Sequence, residues 1–553
     1  MEKILVKDKG FSKEKGGGAN FSYYIVEGFG LTLYDRHNSE FEYNLTGWVL
    51  KSDSKSFAGR TVEDLMSVLD KLCKDYCLTQ YTSMKKDIIV IYTNRLRDLH
   101  SYLKDYVTGS FNIAGADFNQ DKAYFQVMNF IEFRQCWNKD MCTARQIQHW
   151  AYSMWKYLFT DDKKVHLTSN GVTRFKVKQA CKKTKCTLGE DIFPTTHTKY
   201  MFYKNSAHGG ICYYGKTGNF TKKIIEADLT SAYTYCYTLP LPMSKGEYVD
   251  PNTQTDGLTI GEYLLTFKNT ARQLSTIKDI DKKEFDYSGE EVTQHFYLTS
   301  VDLETIKKFA TIINIKCLSL VKFEAGQLPK EYLDVLVGFF LKKQTTKGGE
   351  RAVWKICLNG CSGNAIRNIE QKDFPSYNHK ELVPQWGAFI ISYCRQIICD
   401  LGINLTEWLY SDTDCVFCND TKANRKLIDK WNEQAHKHNL ELCEKFGYPY
   451  EDLKDLGTFK IEEEITRMKI IGNKHYCYQT VDGRVVVKAA GCDKKTMDKT
   501  NIFDKDEMPI GQKEVGYGYT ENGYYRYTTD NKAYYYLYLQ AREILKGKED
   551  YLK

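Results

Sequence analysis

Residues 408–417 read WLYSDTDCVF, with Asp412 and Asp414 one residue apart inside an apolar and aromatic run. Leu409, Tyr410, Val416 and Phe417 flank them, so the stretch is expected to form a buried strand or strand hairpin. An isolated buried carboxylate is very costly. The fold must therefore bring a positive partner to this point, either a basic side chain or a metal ion. That requirement constrains the rest of the chain more than any overall statistic does.

The chain has 553 residues, which at roughly 100–200 residues per domain suggests three or four domains or lobes. Hydrophobic residues make up 42% and charged residues 27%, the balance of a globular protein with a large core. No apolar run approaches the ~18 residues of a membrane span. The opening MEKILVKDKG has no apolar segment of signal-peptide type. A soluble, cytoplasmic protein without membrane attachment is expected. The 18 cysteines are scattered, with no paired zinc spacing. Cys415 and Cys418 form a CxxC, but on a strand positions three apart face opposite ways. Cys357 and Cys361 sit four apart on an expected helix. Packing is the expected role of both pairs, and free thiols fit a reducing compartment. The net charge of +7 is compatible with a nucleic-acid partner without requiring one.

The first ~180 residues read as α/β. Residues 21–50 alternate like strands, 61–77 have a helical apolar period, 86–94 read as a buried strand and 143–159 as a helix. Residues 175–200 are basic and mark a candidate boundary, either a solvated loop or a phosphate-backbone contact. Then KKIIEADLTSAYTYCY places Asp228 at a strand tip, with Asp228 or Thr230 near the start of a following helix. Residues 297–316 read as strand then helix, 330–343 and 350–362 as helices split by Gly348 and Gly349, and 387–394, 408–418 and 475–490 as strands.

Four features line up along this order. Asp228 ends one strand. Arg351, Lys355 and Asn359 lie four apart on one helix face, and Lys343 can reach the same space. Like charges on one face destabilise a helix by about 0.2–0.5 kcal/mol per pair, which makes sense if a polyanion lies against them. Asp412 and Asp414 form the third feature. Glu462 is the fourth, with NKHYCY placing Lys474 and Tyr476 on one strand face. Carboxylates from distant segments beside a cationic helix suit two Mg²⁺ ions, with Mn²⁺ as an alternative, clamped roughly 3.5–4 Å apart between Asp228 and Asp414. Magnesium prefers few carboxylates plus substrate phosphates. Lys343 and Lys355 would then hold a triphosphate.

These strings resemble the motifs of family B DNA polymerases. DLTSAYTYCY is similar to the first polymerase motif, Asp-x-x-Ser-Leu-Tyr-Pro. KICLNGCSG, which contains Gly363, is similar to the second, Lys-x-x-x-Asn-Ser-x-Tyr-Gly. YSDTDC is similar to the third, Tyr-x-Asp-Thr-Asp-Ser. KHY resembles the Lys-x-Tyr motif at the primer end, and AHGG, 207–210, resembles the Tyr-x-Gly-Gly motif. YLTSVDLETIKK and LGTFKIEEE resemble the protein-primed branch found in linear phage genomes and linear plasmids.

The resemblance implies an α/β and α+β multidomain fold. A degenerate exonuclease-like (RNase H-like) domain would span 1–190 and a right-hand polymerase 191–553. The palm would take about 195–242 and 387–480, an insertion docking the terminal protein 243–330, the fingers 331–386 and the thumb 481–553. It implies Asp228, Asp412 and Asp414 as catalytic carboxylates, with the Leu229 carbonyl as a further metal ligand. Tyr233, Lys343, Lys355 and Asn359 would bind the nucleotide. Gly209, Gly210, Lys474 and Tyr476 would hold primer or DNA, and Arg351, Gly363 and Glu462 would support the site. Implied partners are template and primer DNA, dNTPs and a terminal protein, the chain being a monomer or a heterodimer with that protein.

The chain also departs from the pattern. Gly360 and Ser362 replace a Ser and a Tyr of the second motif, Ala232 and Thr234 a Leu and a Pro of the first, and Ala207 a Tyr. In the first exonuclease motif Ile25 stands where Asp belongs, leaving Glu27. Asn94 and Asp98 fit the second, and the candidate third-motif helix, 143–159, lacks an acid. Little or no proofreading is expected, unless other acids such as Asp117 serve. Only about 364–386 is available for the second insertion of the branch. The alternatives are a primer-independent or lesion-tolerant relative, and a nucleic-acid-binding scaffold derived from a polymerase.

Overall fold

The computed structural model describes residues 4–8, 21–37, 43–52, 54–76, 78, 85–93, 99, 102–103, 111–114, 131–135, 169–183, 192–252, 256–371, 374, 383–489, 502–503, 513–520 and 523–530. Asn94, Asp98, Asp117 and the expected helix over 143–159 lie outside the described residues.

Alternation in the first 60 residues produces an antiparallel set. Ser56–Gly59, Tyr43–Lys51 and Phe21–His37 lie side by side, with Ile4–Asp8 paired to the start of the long third strand. Lys85–Thr93 then adds parallel to Phe21–His37, followed by Ile131–Gln135 and Phe111–Ala114, also parallel. The helix Val62–Asp75 starts on a capping box, in which Asp64 N–H donates to Thr61 Oγ1 at 3.1 Å and Thr61 N–H to Asp64 at 3.2 Å. Its Leu65, Leu69, Leu72 and Cys73 close over Phe29, Leu31, Ile89 and Ile91.

The basic stretch 175–200 begins inside a helix, Ser169–Lys183, and not in a solvated loop, and its residues 184–191 lie outside the described residues. Val172 and Val177 of that helix enter the core shared with the helices Lys330–Thr345 and Gly348–Ala365, and Thr173 Oγ1 donates to the Cys357 carbonyl at 2.9 Å.

A second sheet is antiparallel throughout. Its order is Val485–Ala489, His475–Thr480, Phe459–Gly472, Ile224–Leu229, Cys415–Asn419, Trp408–Thr413 and Ile211–Tyr214. Alternation divides the buried strand Cys415–Asn419 between two cores. Val416 and Cys418 join Ile225, Ala227 and Leu229 under the helices, whereas Cys415 and Phe417 join Tyr410, Ile465, Met468, Tyr476 and Tyr478 on the other face. The CxxC cysteines therefore point apart and act as packing groups, as their spacing implies.

Residues 384–402, expected in part as a strand over 387–394, form the helix Pro384–Gly402. Its apolar residues are buried all round, so no period marks it as helical. Pro384 at its first turn is the local start signal. Between the first and second motifs stands a four-stranded antiparallel sheet, in the order Glu247–Val249, Thr311–Phe323, Leu258–Lys268, Glu291–Thr299, with the helix Ser300–Phe309 against it. It has its own core, centred on Phe267, Phe285, Phe296 and Leu298. No helix among the described residues is long and apolar enough to cross a membrane.

Candidate active site

The run WLYSDTDCVF forms a hairpin with a very tight turn. Thr413 has φ +67°, and the Asp414 N–H donates back to the Asp412 carbonyl at 2.9 Å. This is a three-residue γ-turn of the rare positive-φ kind, strained for a β-branched residue. Strand Ile224–Leu229 lies alongside, with Asp228 opposite Cys415 and the Leu229 N–H donating to the Asp414 carbonyl at 2.7 Å. Two backbone ladders thus bring Asp228 and Asp414 to neighbouring strand ends from positions far apart in sequence.

The pair carries excess negative charge. Burial, then Asp414, Glu462 and Glu226, raise the Asp228 pKa to about 7. Burial also raises that of Asp414, with Asp412 adding to it and Lys355 and Lys343 opposing. Glu226, two residues before Asp228 and on the same strand face, is pushed up to about 7 by burial. Glu462 enters through a bulge. Glu226 pairs with Glu463 and Ala227 with Ile461, so Glu462 is the extra residue of strand Phe459–Gly472. Bulges re-aim side chains in this way.

The expected cationic face forms opposite. Arg351, Lys355 and Asn359 are exposed on Gly348–Ala365, while Val353, Trp354, Cys357, Leu358 and Cys361 on its other side are buried. Lys343 reaches in from Lys330–Thr345, and its Nζ donates to Ser231 Oγ at 2.8 Å. Its pKa is lowered by burial and then by Lys355 and Arg351, with Asp228 and Asp414 opposing. Ser231, at φ +52°, immediately precedes the short helix Ala232–Cys236 and makes no side-chain cap to it. Tyr233 is half-buried beside Asp414 and Cys394, and its hydroxyl pKa is raised by burial. Gly363 has open space around it.

Asp412 is disposed differently from its neighbour. Lys474 Nζ donates to both of its carboxylate oxygens, at 2.8 and 3.1 Å. The positive partner of Asp412 among the side chains is thus a lysine. Burial works against the Lys474 charge, but Asp412 outweighs it and the pKa is raised. Lys474 lies in the turn between Phe459–Gly472 and His475–Thr480, at φ +57°, and not on a strand face shared with Tyr476. Its N–H donates to the Tyr410 hydroxyl at 2.9 Å. The Tyr476 ring is 4% exposed and packs on Tyr410 with centroids 4.4 Å apart, so it belongs to the core of the site.

Gly209 and Gly210 lead into Ile211–Tyr214, whose Ile211 pairs with Thr413. Before them His208 is buried, and behind them Arg395 and Asp302 form a fully buried ion pair. Of these, sequence reasoning named neither His208, Arg395 and Asp302 nor Ser231 and Glu226 as site residues. The last two stand inside the stretch KKIIEADLTSAYTYCY. The first three are brought together only by packing of the insertion on Pro384–Gly402.

In the N-terminal sheet Glu27 is 8% exposed and accepts a hydrogen bond from the Tyr76 hydroxyl at 2.9 Å. Lys55 lies over the Tyr76 ring, 4.2 Å from its centroid.

Among the described residues no three His, Cys, Asp or Glu side chains converge as a metal site. The donor set of Asp228 and Asp414 is nevertheless that of a hard divalent cation. It offers two under-compensated carboxylates, and Mg²⁺ is usually held by one or two such groups with substrate phosphates completing the shell.

No family model matches the sequence, and no curated protein matches it. Solved structures do. Phi29 DNA polymerase complexed with primer-template DNA is 15% identical, with a TM-score of 0.61 over 91% of this chain and 98% of that one. The same polymerase complexed with single-stranded DNA gives 0.60 at 14% identity, over 91% of this chain and 99% of that one. Its ternary complex with incoming nucleotide gives 0.58 at 14%, over the same shares. The fold is that of Phi29 DNA polymerase. The motif resemblance and the multidomain polymerase fold therefore agree, and the agreement extends over most of the chain.

Proposed function

We propose that the chain is a DNA-directed DNA polymerase, adding deoxynucleotides to a primer 3′-hydroxyl on a DNA template. The observation that carries the reading is the meeting of Asp228 and Asp414 at adjacent strand ends, opposite Lys343, Lys355, Arg351 and Asn359. Two carboxylates with raised pKa beside a cationic helix face suit a triphosphate brought in with divalent metal. Asp228 and Asp414, with the Leu229 carbonyl, would hold Mg²⁺. Bound there, Mg²⁺ supplies charge neutralisation at the reacting phosphate and a lowered pKa at the 3′-hydroxyl. Lys343, kept near Ser231, and Lys355 hold the phosphates by charge and position. Tyr233 packs under the sugar, Lys474 contacts the primer backbone, and Asp412 orients Lys474. A scaffold would have no use for two half-buried carboxylates left in excess.

In this reading the eight-stranded antiparallel sheet, with Gly218–Phe220 paired to Phe459–Gly472, is the palm and the helices Lys330–Thr345 and Gly348–Ala365 are the fingers. The region before about 190 is an exonuclease-like domain. An antiparallel set extended by parallel strands supports an RNase H-like sheet there. Loss of proofreading is supported by Ile25 in the place of an acid and by Glu27 held by Tyr76. Priming by a terminal protein is supported by the separately cored insertion, which exposes Ile313, Ile315 and Leu318 along Thr311–Phe323.

The test is a labelled primer on a DNA template with Mg²⁺, with and without dNTPs, for the parent and Asp414→Ala. Extension by the parent alone, with no shortening when dNTPs are absent, is expected. Shortening that persists in Asp414→Ala would overturn the proofreading claim. Extension by Asp414→Ala would overturn the site.

A further inference from the structure

The loop His208–Gly209–Gly210 is held at each residue by a different part of the molecule. His208 Nδ1 accepts the Lys278 N–H at 3.3 Å, so Nε2 carries the proton and donates to the Tyr297 carbonyl at 2.8 Å. Burial lowers its pKa to about 4, so the neutral ring that makes both bonds is the form present at neutral pH. The Gly209 carbonyl accepts from Arg395 Nη2 at 2.6 Å, and Arg395 is fixed in turn by Asp302, which also accepts from Ser392 Oγ at 2.6 Å. Gly210 then passes directly beneath the catalytic turn. A Cβ placed on Gly210 would lie 3.0 Å from Thr413 Cγ2 and 3.2 Å from its Oγ1. On Gly209 the nearest atom would be 3.8 Å away, on Thr276.

Thr413 is the centre of the γ-turn. Its hydroxyl donates to Asp412 Oδ1 at 3.2 Å, and Asp414 N–H bonds across it to the Asp412 carbonyl. A displacement of Thr413 is therefore passed to both acids. Positive-φ turns at β-branched residues persist only where the surroundings over-determine them. Here the surroundings are a loop with no slack.

We propose that the His208–Gly210 loop is a fixed floor for the catalytic turn, and that Gly210 acts as a positioning residue by letting Thr413 seat at contact distance. The inference rests on the polymerase reading. It assigns Gly210 to the geometry of the carboxylates and not to a contact with DNA.

The experiment compares the parent, Gly210→Ala and the double variant Gly210→Ala/Thr413→Ser, which deletes the Cγ2 that the new methyl would strike. Binding of Mn²⁺ to the free chain is measured by calorimetry, primer extension by kcat and by KM for primer–template, and folding by the thermal midpoint. A misplacement of about 1 Å can cost ~100-fold in rate, so a shift of a few tenths is expected to cost about tenfold. Gly210→Ala should keep the parent midpoint and lose about tenfold in Mn²⁺ affinity and in kcat, with KM nearly unchanged. The double variant should recover most of both. Parent-like Mn²⁺ binding in Gly210→Ala would overturn the proposal. So would a loss confined to KM, which would mark a DNA contact, or a loss that Thr413→Ser does not relieve. A parent that extends no primer would overturn the polymerase reading, while the Mn²⁺ isotherms would still decide whether Gly210 positions the carboxylates.

Discussion

Asp228→Asn is expected to stabilise the metal-free chain at neutral and alkaline pH. The Asp228 carboxyl titrates near 3.8 when exposed and near 7 in the fold. Between those values the folded state holds a proton that the unfolded state has released. Stability is therefore greatest below about pH 4 and falls as the pH rises to 7, above which the penalty is constant. Each pH unit of displacement is worth about 1.4 kcal/mol, so three units set a ceiling of about 4 kcal/mol. Asp228 is only half-buried, and solvent screening reduces this to roughly 1–3 kcal/mol. Asparagine keeps the shape and cannot ionise, so it removes the penalty. The assay is the midpoint of thermal unfolding for parent and variant in chelator, at pH 5 and pH 8. The variant should unfold at the higher temperature at pH 8. Its advantage at pH 5 should be less than half as large, because only about one of the three pH units has been crossed. Added Mg²⁺ should raise the parent midpoint, by linkage to a ligand of the folded state, and leave that of the variant nearly unchanged. Equal midpoints at both pH values, or a variant less stable than the parent at pH 8, would refute the argument that Asp228 is a desolvated and uncompensated charge.

Lys474→Met removes the partner of Asp412. The exposed pair itself is worth under about 1 kcal/mol, so stability should hardly change, whereas KM for primer–template should rise about tenfold and the salt dependence of DNA binding should lose about one counterion. Asp302→Asn leaves Arg395 charged and buried without its partner, and should cost about 3–5 kcal/mol in unfolding experiments, much of it regained in Asp302→Leu/Arg395→Met. Glu27→Gln should weaken only the hydrogen bond from Tyr76, by about 1 kcal/mol, and leave primer shortening as it is in the parent. A change in shortening would show that Glu27 serves a nuclease site.

Much of the site was legible because its parts are local. The spacing of Arg351, Lys355 and Asn359 puts them on one face of any helix, and the structure keeps that face exposed. The period-2 pattern sent Cys415 and Cys418 to opposite cores. The same rules failed where burial is complete. Residues 384–402 have no polar face to reveal a period, and part of a helix read as a strand. They failed also for Lys474, because a tight turn and an extended strand are equally open to the residues NKHY.

The sequence by itself determined the order of the acids, the cationic helix face and the two-sided burial of the strand that follows Asp414. Each follows from backbone periodicity, which acts over a few residues. Tertiary structure decided which carboxylate would be neutralised. Asp412 and Asp414 differ by one residue and a γ-turn, yet one meets Lys474 while the other is left beside Asp228 with its pKa raised. That choice depends on a hairpin some sixty residues further along and on the desolvation that packing imposes. Both are set by distances between segments that no local pattern encodes.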